Sequence, residues 1–196
     1  VSHPGYNTCH QWTGSGFSSP TSIQPTSTFL TFAVKLADVN GDGYLDLIEG
    51  NQEAPTHVYL NNMPNSGVAC DFQAPVAVAD STALDTTVAL EVADFNRDGY
   101  LDIVEGNNGD RDDDADQSND IPQPMRLFLN NGDGTFANGL DEVPPKQKVY
   151  GTDFGDVDGD GQLDLVSASS DEEQPATDPL PVEGGYAVYF NMGTPG

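Results

Sequence analysis

The sequence predicts an all-β fold built from tandem repeats, and three observations predict it. One acidic nonapeptide appears three times in 196 residues: DVNGDGYLD from Asp38, DFNRDGYLD from Asp94 and DVDGDGQLD from Asp156. Its flanks also recur, as short Val-, Ile- and Leu-rich runs bounded by Gly and Asn, which read as strands. None of these runs sustains the 3.6-residue period of a helix. Self-similarity at this spacing marks a repeat architecture, in which each unit hides its apolar face against the next.

The elements follow in order within each unit. A first strand precedes each loop at residues 32–37, 88–93 and 149–155, and a second follows at 45–50, 101–106 and 163–167. The third, at residues 57–62, 126–131 and 187–191, is aromatic and β-branched and ends in Asn, as a strand entering a turn does. A weaker fourth strand is read at residues 71–78 and 134–140. The unit is thus four short strands with the acidic turn between the first two. First aspartates lie 56 and then 62 residues apart, the excess falling in insertions at 107–123 and 169–185. The first insertion holds Asp110, Asp112, Asp113, Asp114, Asp116 and Asp120, and reads as a solvated loop rather than an extra cation site.

The third unit stops after its third strand. Residues 15–23 resemble the missing fourth strand, so an N-terminal strand, from the same chain or a neighbour, is expected to complete the last unit. The expected boundaries are an N-terminal arm at 1–28, then units at 29–84, 85–145 and 146–196, the last incomplete.

Each loop places oxygen-bearing side chains at positions 1, 3, 5 and 9 and glycine at position 6. Such an all-oxygen set suits a hard cation, and calcium is its natural occupant; magnesium prefers to keep its waters. The expected ligands of the first site are Asp38, Asn40, Asp42 and Asp46 with the Tyr44 carbonyl. Those of the second are Asp94, Asn96, Asp98 and Asp102 with the Tyr100 carbonyl. Those of the third are Asp156, Asp158, Asp160 and Asp164 with the Gln162 carbonyl. Three Ca2+ sites are expected, the third tightest because it has four carboxylates. An EF-hand also fits two loops, since Glu49 and Glu105 stand at position 12, but the third has Ser167 there. Gly50 and Gly106 follow the glutamates where an exit helix would have to propagate, which argues for strands.

Composition narrows the function. Six Lys and Arg against 32 Asp and Glu give a formal net charge of −26. Three divalent ions would leave about −20, a surface that repels nucleic acid and anionic lipid. No apolar run is long enough to span a bilayer, so no membrane insertion is expected. The start at Val1-Ser2-His3-Pro4 suits a processed, secreted chain. Cys9 and Cys70 allow one disulfide, with two buried thiols as the alternative; the extracellular setting favours the bridge.

The segments DVNGDGYLDLIEGN, DFNRDGYLDIVEGNN and DVDGDGQLDLVSAS resemble the FG-GAP or VCBS repeat. The resemblance covers about residues 15–196 and implies four-stranded β-propeller blades, with calcium in the loop joining strands one and two. It departs from the family in blade number, since a closed ring needs four to eight. A chain with three is expected either to belong to a longer polypeptide or to assemble from several copies.

No nucleophile elbow, zincin motif, phosphate loop or dinucleotide fingerprint occurs, and no enzymatic activity is expected. His3 and His10 flank Cys9 but read as part of an ordinary arm, and His57 as a surface residue. Residues 18–28 read as a surface segment suited to O-glycans, and no N-glycosylation sequon occurs. The expected function is a secreted, calcium-binding structural or adhesive module that self-associates into a multimer or filament. A glycan or protein ligand is expected as a partner; the alternatives are a carbohydrate-binding lectin of the propeller type and a non-catalytic propeller segment of a larger receptor or enzyme.

Overall fold

A computed structural model describes residues 7–23, 29–78, 85–108, 123, 125–137, 140–143, 148–170 and 184–192. Three antiparallel sheets follow one another along the chain. The first holds β3 (Thr31–Ala37), β4 (Asp46–Asn51), β5 (His57–Tyr59) and β6 (Val76–Ala77), paired in that order. In the second, β7 (Thr87–Ala93), β8 (Asp102–Asn107), β9 (Met125–Phe128) and β10 (Leu140–Val143) repeat the arrangement. β11 (Lys148–Gly155), β12 (Asp164–Ser170) and β13 (Gly184–Tyr189) form the third. The all-β repeat with the acidic turn between strands one and two is therefore present, and the described residues form no closed ring.

Register is equivalent in all three sheets. Ala37 opposes Asp46, Ala93 opposes Asp102 and Gly155 opposes Asp164, so each acidic loop closes a hairpin at its ninth residue. The pairing also shifts at one equivalent place, between Thr31 and Ala33, Thr87 and Ala89, and Val149 and Gly151. A bulge there adds local twist to the first strand.

The sheets pack through two apolar clusters, with β7 lying against both β3 and β11. The first cluster joins Val39, Ile48 and Val58 of the first unit to Leu90, Ile103 and Phe128 of the second. The second joins Val104, Met125 and Leu127 to Val149 and Leu165. Glycine makes the close approach feasible: a Cβ on Gly50 would stand 2.7 Å from Thr87 Cγ2, and one on Gly106 would stand 2.8 Å from Val149 Cγ1. Lys35 pairs with Glu91 across the first junction at 3.0 Å.

The N-terminus corrects one expectation. β2 (Thr21–Ser22) pairs with β1 (Thr8–Cys9), not with β13, so within this chain the N-terminal segment does not complete the third sheet. The reason is local. The Trp12–Phe17 bridge and the bonds from Ser18 N to Gln11 O (2.7 Å) and Thr13 N to Gly16 O (2.8 Å) close a hairpin at small loop-closure cost. Cys9 and Cys70 are bridged, as the composition favoured, and fasten this hairpin beside the first sheet. Asn7 strengthens the attachment by donating to Thr31 Oγ1 at 2.9 Å and to Glu49 Oε1.

Two smaller differences appear. A single helical turn, α1 (Met63–Ser66), follows β5, stopped by Gly67 in the left-handed region at φ 64°. His57 is not a plain surface residue: it is half-buried and stacked on Phe29, and burial lowers its pKa. Most of both insertions, with the acidic stretch 110–120, and His3 lie outside the described residues.

Candidate metal centres

All fifteen expected site residues lie in three equivalent turns, and the twelve expected to bind through side chains play two different roles. The residues at positions 1, 3 and 5 organise the turn. Asp38 Oδ1 and Oδ2 accept from Asp42 N (3.0 Å) and Gly43 N (2.8 Å). Asn40 Oδ1 accepts from Asp42 N at 3.1 Å, and Asp42 Oδ1 from Tyr44 N at 2.9 Å. The second turn repeats this with Asp94 and Gly99 N (3.0 Å), Asn96 and Asp98 N (3.0 Å), and Asp98 and Tyr100 N (2.9 Å). The third does so with Asp156 and Gly161 N (2.9 Å), Asp158 and Asp160 N (3.0 Å), and Asp160 and Gln162 N (2.7 Å). Gly43, Gly99 and Gly161 take φ of 88°, 94° and 84°, a region open to glycine at no steric cost.

The ninth residue is different. Asp46, Asp102 and Asp164 are fully buried, and each lays both carboxylate oxygens against backbone N–H groups. Asp46 accepts from Val39 N (3.0 Å) and Asn61 N (2.8 Å). Asp102 accepts from Phe95 N (3.0 Å) and Asn130 N (2.9 Å), and Asp164 from Val157 N (2.8 Å) and Asn191 N (2.9 Å). One bond closes the residue's own turn; the other ties that turn to the end of the third strand. Burial pushes the Asp46 and Asp102 carboxyls up, against the pull of these N–H donors. For Asp164 the N–H groups of Asn191 and Val157 prevail, and its pKa is lowered.

Asn61, Asn130 and Asn191, turn formers by sequence, also brace the acidic turns through these backbone bonds. Their recurrence after every third strand is the sequence signal for it. Asn130 also donates from Nδ2 to Leu101 O of its own turn (2.9 Å) and to Val39 O of the preceding one (2.8 Å). Asn191 repeats the reach to Phe95 O at 3.4 Å, whereas Asn61 donates to Leu45 O alone.

The donor set fits a hard cation, because every candidate ligand atom is oxygen. Asp156, Asp158 and Asp164 each bring a carboxylate oxygen within 4.8 Å of the others'. In the second turn Asp94 Oδ1 is buried without a hydrogen-bond partner, as an oxygen reserved for a ligand would be. In the first two turns the Asn40 and Asn96 amides donate to Asp42 (3.1 Å) and Asp98 (2.9 Å). Asp158 at that position cannot donate when ionised, so the third turn concentrates charge with less internal compensation. Glu49 and Glu105 take no part in the turns. Both are buried in the second strand, where Glu49 accepts from Tyr59 Oη at 2.8 Å.

In comparison with known families, residues 108–167 match the model described as an FG-GAP-like repeat. Among individual proteins the chain is similar to cartilage acidic protein 1 of Mus musculus, Xenopus tropicalis and Homo sapiens. Each is 29% identical over 138 residues, which is 68% of this chain. Those residues make up 20%, 20% and 19% of the three relatives, so the chain spans about one-fifth of the length of the curated proteins it matches.

Proposed function

We propose that this chain is a calcium-stabilised extracellular repeat segment with a structural or adhesive role and no catalytic one. Its sheets act as blades of a β-propeller-type array, with Ca2+ in the three acidic turns. The observation that carries the reading is the threefold recurrence of an oxygen-only turn, with three carboxylates drawn together in the last copy. Extracellular placement is supported by the Cys9–Cys70 bridge, the net charge of −26 and relatives named for cartilage and acidity.

Calcium at tenfold above its Kd stabilises a folded site by about 1.4 kcal/mol, so three such sites add a sizeable part of a domain's net stability. Titration calorimetry should find three calcium sites. Melting should rise in millimolar calcium, fall with chelator, and respond much less to magnesium. Identical melting in calcium and in chelator, with no heat of binding, would sink this reading. The lectin alternative draws on the exposed Trp12–Phe17 ring pair, 5.3 Å apart, which offers a stacking surface for a sugar. Glycan-array binding lost in Trp12→Ala would favour it.

A further inference from the structure

One basic side chain crosses from one acidic turn to the next. Arg97 stands at position 4 of the second turn, where the first and third turns have Gly41 and Gly159. All three take the left-handed backbone, with φ of 62° at Arg97, 72° at Gly41 and 80° at Gly159. Glycine adopts that region freely, whereas an arginine does so at a cost. The Arg97 side chain reaches out of its own unit: Nη2 lies 3.6 Å from where a Cβ on Gly161 would stand, so the guanidinium rests on the third turn. Gly161 N donates to Asp156 Oδ2, which places the charge beside the loop that carries Asp156, Asp158 and Asp160.

We propose that Arg97 is a tethered counter-charge for the third turn, which steadies that turn without calcium and opposes the entry of a divalent cation. This rests on the calcium reading of the turns and adds a residue that sets affinity from a neighbouring unit. The third turn is the one with most need of a cation from outside. In the first two turns Asn40 and Asn96 donate an amide to the next aspartate but one, whereas Asp158 has no amide to give. The second turn receives no equivalent visitor, because position 4 of the first turn is Gly41, which has no side chain to send. The chain has six Lys and Arg in all, and one of them stands at the turn with four carboxylates. Among the described residues no carboxylate forms an ion pair with Arg97, so its charge bears on the turn as a whole. The extra carboxylate of the third turn is thereby offset, and its affinity drawn back toward that of the other two. Exposed charges at such separations change an affinity by roughly three- to tenfold at low ionic strength, and by less as salt screens them.

Calcium titration calorimetry on the 196-residue chain, at low and high salt, tests this with Arg97→Gln to remove the charge and Arg97→Lys to keep it. Asp94→Asn and Asp156→Asn backgrounds weaken the second and third sites in turn and so assign any change. Arg97→Gln should tighten the third site by roughly three- to tenfold, more than it alters the second, and the gain should shrink at high salt. Arg97→Lys should stay close to wild type. Melting gives an independent readout: Arg97→Gln should melt below wild type in chelator, yet gain more from saturating calcium than wild type gains. An arginine that only holds structure would lower both melts alike, and that result overturns the inference. A third-site affinity unchanged in Arg97→Gln, or a change confined to the second site, also overturns it and leaves the proposed function standing. A wild-type chain that binds no calcium defeats both.

Discussion

Asn130 donates its side-chain amide to the carbonyl of Val39, 91 residues earlier, at 2.8 Å. Its backbone N–H meanwhile donates to Asp102 at 2.9 Å, so one buried residue is bonded to two successive acidic turns. Replacing it with alanine leaves the Val39 and Leu101 carbonyls without this donor. Asn130→Ala should cost about 1–3 kcal/mol in urea unfolding. It should also reduce any dependence of the second site's calcium affinity on occupancy of the first. Asn61→Ala, which loses the bonds to Leu45 O and from Met63 N but none to another unit, should cost clearly less in the same assay.

Gly106→Ala tests the closeness of the second and third sheets. The added methyl would stand 2.8 Å from Val149 Cγ1 and 3.1 Å from both Ala89 Cβ and Thr152 Cγ2. Overpacking of this kind should destabilise by about 1–3 kcal/mol. Thermal unfolding would read it, and Gly151→Ala, with open space around its Cβ position, is the control.

Asp158→Asn separates charge from fold in the third turn. It supplies the amide that Asn40 and Asn96 supply to their own turns, and removes one like charge beside Asp156 and Asp160. The variant should melt higher than wild type in chelator and bind calcium more weakly. An unchanged affinity, measured by calorimetry, would remove the carboxylate from the ligand set.

Glu105 provides the pH dependence. Burial, reinforced by Asp85 and opposed by Thr56, Arg126 and Asn107, pushes its pKa up to about 7 from an ordinary 4.5. The folded protein therefore holds this proton more tightly than the unfolded chain does. The resulting stabilisation is complete below pH 4.5 and is lost as pH rises through 7. Glu105→Gln, neutral throughout, should lack this component. Comparing denaturant midpoints from pH 4.5 to 8, the difference between variant and wild type should shift in the variant's favour by a few kcal/mol.

The acidic turns and the strands around them were legible in the sequence because their signals are local and occur three times. Glycine at position 6 announced the turn, and runs such as 45–50 and 101–106 announced buried strands. What stayed hidden depends on distant contacts. Nothing within the nonapeptide separates Asp46 from Asp38, yet Asp46 is buried and bonded to Asn61, a residue outside the nonapeptide. Residues 15–23 looked like a fourth strand by composition, but pairing is decided by the nearest compatible partner, and Thr8–Cys9 is close at hand. Asn130 read as an ordinary turn former because its second acceptor lies in another unit.

The buried aspartate that ends each nonapeptide has a consequence for how an ion would be received. Its two oxygens lace the turn to its own hairpin and to the strand beyond. A cation in such a turn would meet a ninth-position carboxylate held at both oxygens by protein donors, so that side chain would surrender little freedom on capture. Selectivity would then fall to ionic size and to the number of negative oxygens around it.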